Sequence, residues 1–234
     1  MVTQTATQRP PKRRRWAMWT GVGLIAIGVG LLAYVAWQYW GTNWVSHRKH
    51  EQIVADTQEL WAKDAAEEVF MPEGEVSALI RIPKFGEDYV VPVLEGVSDD
   101  ALAAGYGHFE KTAEPGKVGN FALAAHRVTH GEPLRDMPEL DPGDEVIVET
   151  RTATHTYVLT TGGDDLVVPF TEIWVIDPLP DNPDEGEPEP AQEPGQRLIT
   201  LTTCSEIFHT DNRMIAFGVL KDSKPKQPAA APAG

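Results

Sequence analysis

Between Trp16 and Trp40 the chain carries no charged residue. About 25 helical residues rising ~1.5 Å each reach roughly 37 Å, enough to cross a ~30 Å hydrocarbon layer. The spacing therefore predicts a transmembrane helix over 16–40. Trp16 and Trp19 mark one end, and Trp37, Tyr39, Trp40 and Trp44 the other, as aromatic belts do at membrane interfaces. Bulky aromatics follow the apolar run where a cleaved signal peptide would carry a small-x-small site, which favours an uncleaved anchor. Over 42–70 the pattern becomes amphipathic, with Val45, Ile53, Val54, Leu60 and Trp61 set among charged residues. We read 41–74 as a helical stalk, closed by Met71-Pro72-Glu73-Gly74.

From residue 75 the period changes to two. Val76, Ala78, Ile80 and Ile82 share one face of 76–83, and further strands are predicted at 89–94, 119–126, 144–150, 154–161, 172–176, 197–203 and 213–220. A short helix is predicted in 98–105, and Gly, Pro, Asn or Asp mark many of the breaks. About eight strands with little helix predict an all-β barrel or sandwich over 75–220. Two segments lie outside that pattern. Residues 177–196 hold seven acids, six prolines and no base, which predicts a long, mobile acidic loop. Residues 221–234 read as a disordered Pro/Ala tail.

Charge adds a direction. The chain has 20 Lys+Arg against 35 Asp+Glu, yet residues 1–40 hold five bases and no acid, leaving a net −20 on 41–234. The basic segment 1–15, with Lys12-Arg13-Arg14-Arg15, predicts a cytoplasmic N-terminus and an extracellular body on a single-pass plasma-membrane protein. An acidic body argues against nucleic acid as a partner, since phosphate contacts need clustered bases. The single cysteine, Cys204, excludes an intrachain disulfide and a Cys-rich zinc site. The irregular histidine spacings and the absence of phosphate-loop or dinucleotide fingerprints imply neither metal nor cofactor.

A free cysteine is often only a small core hydrophobe. Cys204, however, ends an apolar strand, and strand ends aim side chains at clefts. As a nucleophile it needs a partner, because an unperturbed thiol is only a few per cent thiolate at neutral pH. His126 also ends a strand and can supply general acid–base chemistry. His108 and His130 flank that strand and could line the same cleft, while His47, His50, His155 and His209 read as solvated or structural. Arg213 opens the last strand, where a guanidinium can pair with Asp211 or donate to a developing oxyanion.

Together these residues resemble a known set. Thr200-Leu201-Thr202-Thr203-Cys204 is similar to the TLxTC signature of sortases, Ala-Ala-His126-Arg127-x-Thr129-x-Gly131 to their histidine segment, and Arg213 to their arginine. The upstream Gly107-His108-Phe109, Thr112-Ala113, Pro115-Gly116 and Gly119-Asn120 fit as well. The resemblance covers about 75–220 and is greatest to the actinobacterial class E enzymes of Gram-positive cells. It implies an eight-stranded sortase-type β-barrel with short helices behind one transmembrane helix. It also implies a cysteine transpeptidase that cleaves a C-terminal sorting signal, Leu-Ala-x-Thr-Gly or Leu-Pro-x-Thr-Gly, between Thr and Gly. Cys204 would be the nucleophile, His126 the acid–base and Arg213 the oxyanion donor, with Thr203 and Ala124 contacting substrate. The implied partners are secreted proteins bearing that signal, a peptidoglycan-precursor amine as acceptor, and the lipid bilayer. An L,D-transpeptidase would place Gly before the cysteine, where Thr203 stands, and Arg two residues after it, where Glu206 stands. An anchored interaction module with an acidic loop would leave Cys204 inert.

Overall fold

The computed structural model describes residues 12–63, 69–205 and 211–226, with the backbone alone at 12–15. Two compact units divide at Gly41. The first is helix α1 (Lys12–Ala36), continued by one π-helical turn at Trp37–Gly41. Among the described residues, the helix beginning at Trp16 alone is long and apolar enough to cross a membrane, an 18-residue stretch of it reaching a mean hydropathy of 1.9. Leu24, Ile25, Leu31 and Leu32 are all exposed on it, as a lipid-facing surface requires.

The second unit is a closed barrel with a helix on its flank. Its strands are β1 (Val69–Met71), β2 (Gly74–Arg81), β3 (Val91–Glu95), β4 (Tyr106–His108), β5 (Gly119–Ala124), β6 (Glu145–Glu149), β7 (Ala153–Leu159), β8 (Leu166–Pro169), β9 (Arg197–Cys204) and β10 (Asn212–Pro225). The order β2-β3-β4-β5-β9-β10-β7-β6 closes where β6 pairs β2, giving the eight-stranded barrel, while β1 adds to β2 and β8 to β10. Closure removes the open edges that a flat sheet of this size would expose. Inward-facing residues fill the interior, including Ile80, Val93, Phe121, Leu123, Val148, Tyr157, Ile199, Leu201 and Ala216.

Two parallel pairings shape the site. Helix α3 (Asp99–Ala104), N-capped by the Ser98 side chain accepting from Ala101 N–H, carries the chain from β3 to β4, which run parallel. β5 and β9 also run parallel, Gly119 opposite Arg197 and Ala124 opposite Thr202. A parallel pair puts both C-terminal ends at the same rim, so whatever follows Ala124 sits beside whatever ends β9.

Several expectations need correction. The segment 172–176 is a short 3₁₀ helix (Ile173–Ile176), and only Val175 in it is buried. β1, β4 and β8 have three or four residues each, too few for a period to show. Among the described residues of the stalk, the α-helix is α2 (Thr42–Ala62), followed by strand β1, and α2 lies on the barrel: Ser46, His50, Ile53 and Thr57 are buried, Ile53 in a cluster with Val69, Val76, Leu94, Ala101 and Ala104. β10 continues through 221–225, because Asp222–Pro225 pair with Thr156–Ala153 of β7. Residues 227–234 of the expected tail lie outside the described residues, as do 1–11 of the basic segment. The acidic loop folds back on itself. Gln192 Nε2 donates to the Pro180 carbonyl at 2.7 Å, and Asn182 N–H donates to Glu189 at 2.9 Å. Asn120 Nδ2 ties its first residue to β5 through the Asp177 carbonyl at 3.1 Å.

Candidate active site

Cys204 is the last residue of β9, and Arg213 lies directly opposite it on β10. Opposed residues of an antiparallel pair point to the same face, so thiol and guanidinium share one side of the sheet. The parallel β5–β9 ladder makes its last bond from Ala125 N–H to the Thr202 carbonyl, at 3.1 Å. The next residue is His126. All three side chains line a cleft of about 350 Å³ whose other walls are Val97, Phe109, Val168, Phe170 and Ile173. The structure thus gathers the three candidates from three strand ends onto one apolar cleft.

Each is held differently. The Thr203 hydroxyl is buried and donates to the Ala125 carbonyl at 2.7 Å, fastening the histidine strand to the cysteine strand; Ala124 and Thr203 both reach the cleft. Arg127 Nη1 donates to the Ser205 carbonyl, a second tie beyond the strand ends. Arg213 Nη1 donates to the Asn212 carbonyl at 2.9 Å, and its guanidinium lies 5.9 Å from the Phe170 ring centre. Phe170, Glu172 and Ile173 have no chemical signature in sequence. They enter the cleft because β8 pairs with β10 at Asn212–Ile215, and Leu166–Pro169 is too short and too uniformly apolar for that strand to show in the sequence.

Burial first, then the neighbouring His130, lowers the His126 pKa to about 4, with Asp99 partly opposing. The imidazole is therefore neutral near pH 7, able to take a proton from a thiol and return it. His130 stacks on His126 with ring centres 4.6 Å apart and planes 29° apart, so it backs the imidazole instead of lining the cleft. His108 is not in the cleft either. It is buried, with Nδ1 2.8 Å from Glu95 Oε2 and Nε2 2.9 Å from Thr112 Oγ1. His155 lies near the start of β7, its Nδ1 2.9 Å from Ser223 Oγ, and His209 is outside the described residues.

His50 on α2 is also lowered to about 4, by burial and then by His47, while a hydrogen bond to the Ala103 backbone opposes. His130 and His155 shift the same way, chiefly through burial. A histidine depressed in the fold stabilises it fully above the unfolded pKa of about 6.5 and loses that contribution as pH falls through the folded value. Stability should therefore fall steadily from pH 6.5 to 4, with a single shift the size of that at His50 contributing on the order of 3 kcal/mol at most. Urea midpoints measured across that window check this, and a flat profile would refute it. Replacing His50 with Gln should flatten the slope.

A family model described as the sortase domain matches residues 80–221. Sortase SrtE1 of Streptomyces coelicolor is 37% identical over 212 residues, covering 86% of this chain and 56% of that protein, so the chain spans about half of that relative's length. The crystal structure of sortase E1 from Streptomyces coelicolor with a tripeptide in the active site superposes with a TM-score of 0.56 at 34% identity, over 70% of this chain and 100% of that one. The SrtF sortase from Corynebacterium diphtheriae gives 0.58 at 29% identity, over 71% and 95%.

Proposed function

The chain belongs to the sortase family, and from that premise we propose that it is a membrane-anchored cysteine transpeptidase acting on a C-terminal sorting signal. The observation that carries this reading is the convergence of Cys204, Arg213 and His126 on one cleft from the ends of β9, β10 and β5. Cys204 attacks the Thr carbonyl of the signal, and its thiol proton passes to the neutral His126. The Arg213 guanidinium donates to the oxyanion that forms. His126 then gives its proton to the departing Gly amine, leaving a thioacyl enzyme. An amine of a peptidoglycan precursor attacks that thioester, His126 takes the amine's proton, and the thiolate of Cys204 leaves and is reprotonated. The product is a protein linked to the cell wall through its Thr.

The apolar lining, with Val97, Phe109, Val168 and Ile173, suits a Leu-Ala or Leu-Pro segment ahead of the Thr. Ala124 and Thr203 sit where they can contact that segment. Between the two motifs we favour Leu-Ala-x-Thr-Gly, on the similarity to class E relatives. The acidic loop starts at Asp177, directly after the cleft-lining Ile176, and so is placed to influence the choice. Incubating the protein with either peptide and a diamine tests the reading by intact mass. A thioacyl adduct lost on Cys204→Ala supports it, and no adduct with either peptide would refute it. The basic flank of α1 supports a cytoplasmic N-terminus with the barrel outside. Protease added to intact cells should accordingly digest the barrel, and protection of the barrel would reverse the orientation.

A further inference from the structure

The mechanism needs an oriented imidazole, and among the described residues no hydrogen bond orients the ring of His126. Its oriented neighbour is His130, stacked at 4.6 Å. His130 itself stands in an unusual turn: His130, Gly131 and Glu132 have φ of 55°, 82° and 50° in succession. That left-handed region is costly for the two residues with a Cβ, so such a run persists only where surrounding contacts hold it.

One side chain supplies much of that hold. Asn43, in the first turn of α2, accepts from Gly131 N–H through Oδ1 at 3.0 Å. Its Nδ2 donates to Glu132 Oε1 and to the Val128 carbonyl, the latter at 3.4 Å. The same helix presses on the turn further along, since a Cβ on Gly131 would come within 2.6 Å of His50 Cε1. The turn's far end is tied back by Leu134 N–H to the His126 carbonyl at 3.1 Å.

We propose that Asn43 is a positioning residue for the transpeptidation: by fixing the 128–132 turn it sets His130 against His126 and so holds the acid–base imidazole at the cleft. The helix before the barrel is on this account part of the active-site scaffold and more than a spacer. The proposal rests on the reading of His126 as the acid–base.

The test uses the full chain in detergent micelles, comparing wild type, Asn43→Ala, Asn43→Asp and His126→Ala. Asn43→Ala should lower kcat about tenfold or more with KM changed less than about twofold, because small misplacements of a catalytic group cost rate more than binding. It should also raise the NMR titration midpoint of the His126 ring and move the acid limb of the pH–rate profile upward, because a loosened ring regains water. The groups facing that ring, His130, Asp99, Cys204, Arg213 and Glu172, are unchanged in these variants. Asn43→Asp keeps the acceptor for Gly131 N–H but loses both donors beside Glu132, so it should show the same shifts. It also serves as the readable variant if the alanine protein does not fold. Wild-type kcat, or a lowered kcat with an unmoved His126 midpoint, would overturn the proposal. Full activity in His126→Ala would instead overturn the underlying assignment of the histidine.

Discussion

Replacing Cys204 with alanine is expected to leave the protein folded and to abolish the thioacyl adduct, and His126→Ala is expected to cut turnover by ~10²–10⁴-fold, the usual contribution of a general acid–base group. The fold should survive both changes for a structural reason. Cys204 is only partly buried at the end of β9, and the β9 ladder is held by backbone bonds and by the Thr203–Ala125 link, neither of which needs the thiol. The His126 side chain makes no hydrogen bond among the described residues that its removal would strand, and its loss removes one ring contact, with His130. The two variants should differ in kind. Without the thiol no covalent intermediate forms. Without the imidazole, acylation slows because the Gly amine leaves without a proton. Stopped-time intact mass separates these outcomes. The pH–rate profile of the wild type should be bell-shaped and report the thiol–imidazole pair as a unit. Turnover near wild type in either variant would sink the mechanism.

The same residues show how much the sequence could say. Strand-end positions of Cys204, His126 and Arg213 were legible because β5, β9 and β10 are long enough, at six to fourteen residues, for apolar runs to stand out. What brings them together was not legible from pattern alone. The parallel pairing of β5 with β9 depends on tertiary contacts across nearly 80 residues, such as Thr203 Oγ1 to the Ala125 carbonyl. The roles of His108 and His130 were equally hidden. Both flank the His126 strand in sequence. One is drawn into a buried cluster with Glu95 and Thr112, and the other is turned onto His126 by a left-handed turn that no local propensity announces. The helix α2 read as a stalk because its amphipathic pattern shows a helix but not what its apolar face packs against. Only the few positions around Ile53, His50 and Thr57 show that one face is meant for the barrel.

Arg213 is the remaining member of the trio, and its removal should cost rate more than binding. If its guanidinium donates to the oxyanion, Arg213→Ala should lower kcat by about 10²–10³-fold, the loss typical of one such donor. Stability should change little, since the side chain is only half-buried at the start of β10. Arg213→Lys should recover little of the rate. A lysine ammonium keeps the charge but not the planar fork of donors, and it forfeits the packing of the guanidinium over Phe170. The alternative role is substrate holding, in which Arg213 binds the ground state and the transition state alike. That role predicts a raised KM with kcat unchanged in both variants. Steady-state kinetics on the sorting peptide distinguish them. A kcat within about twofold of wild type in Arg213→Ala would remove the oxyanion assignment, and a full rescue by Lys would show that charge alone, without the directed fork, is what the cleft requires of β10.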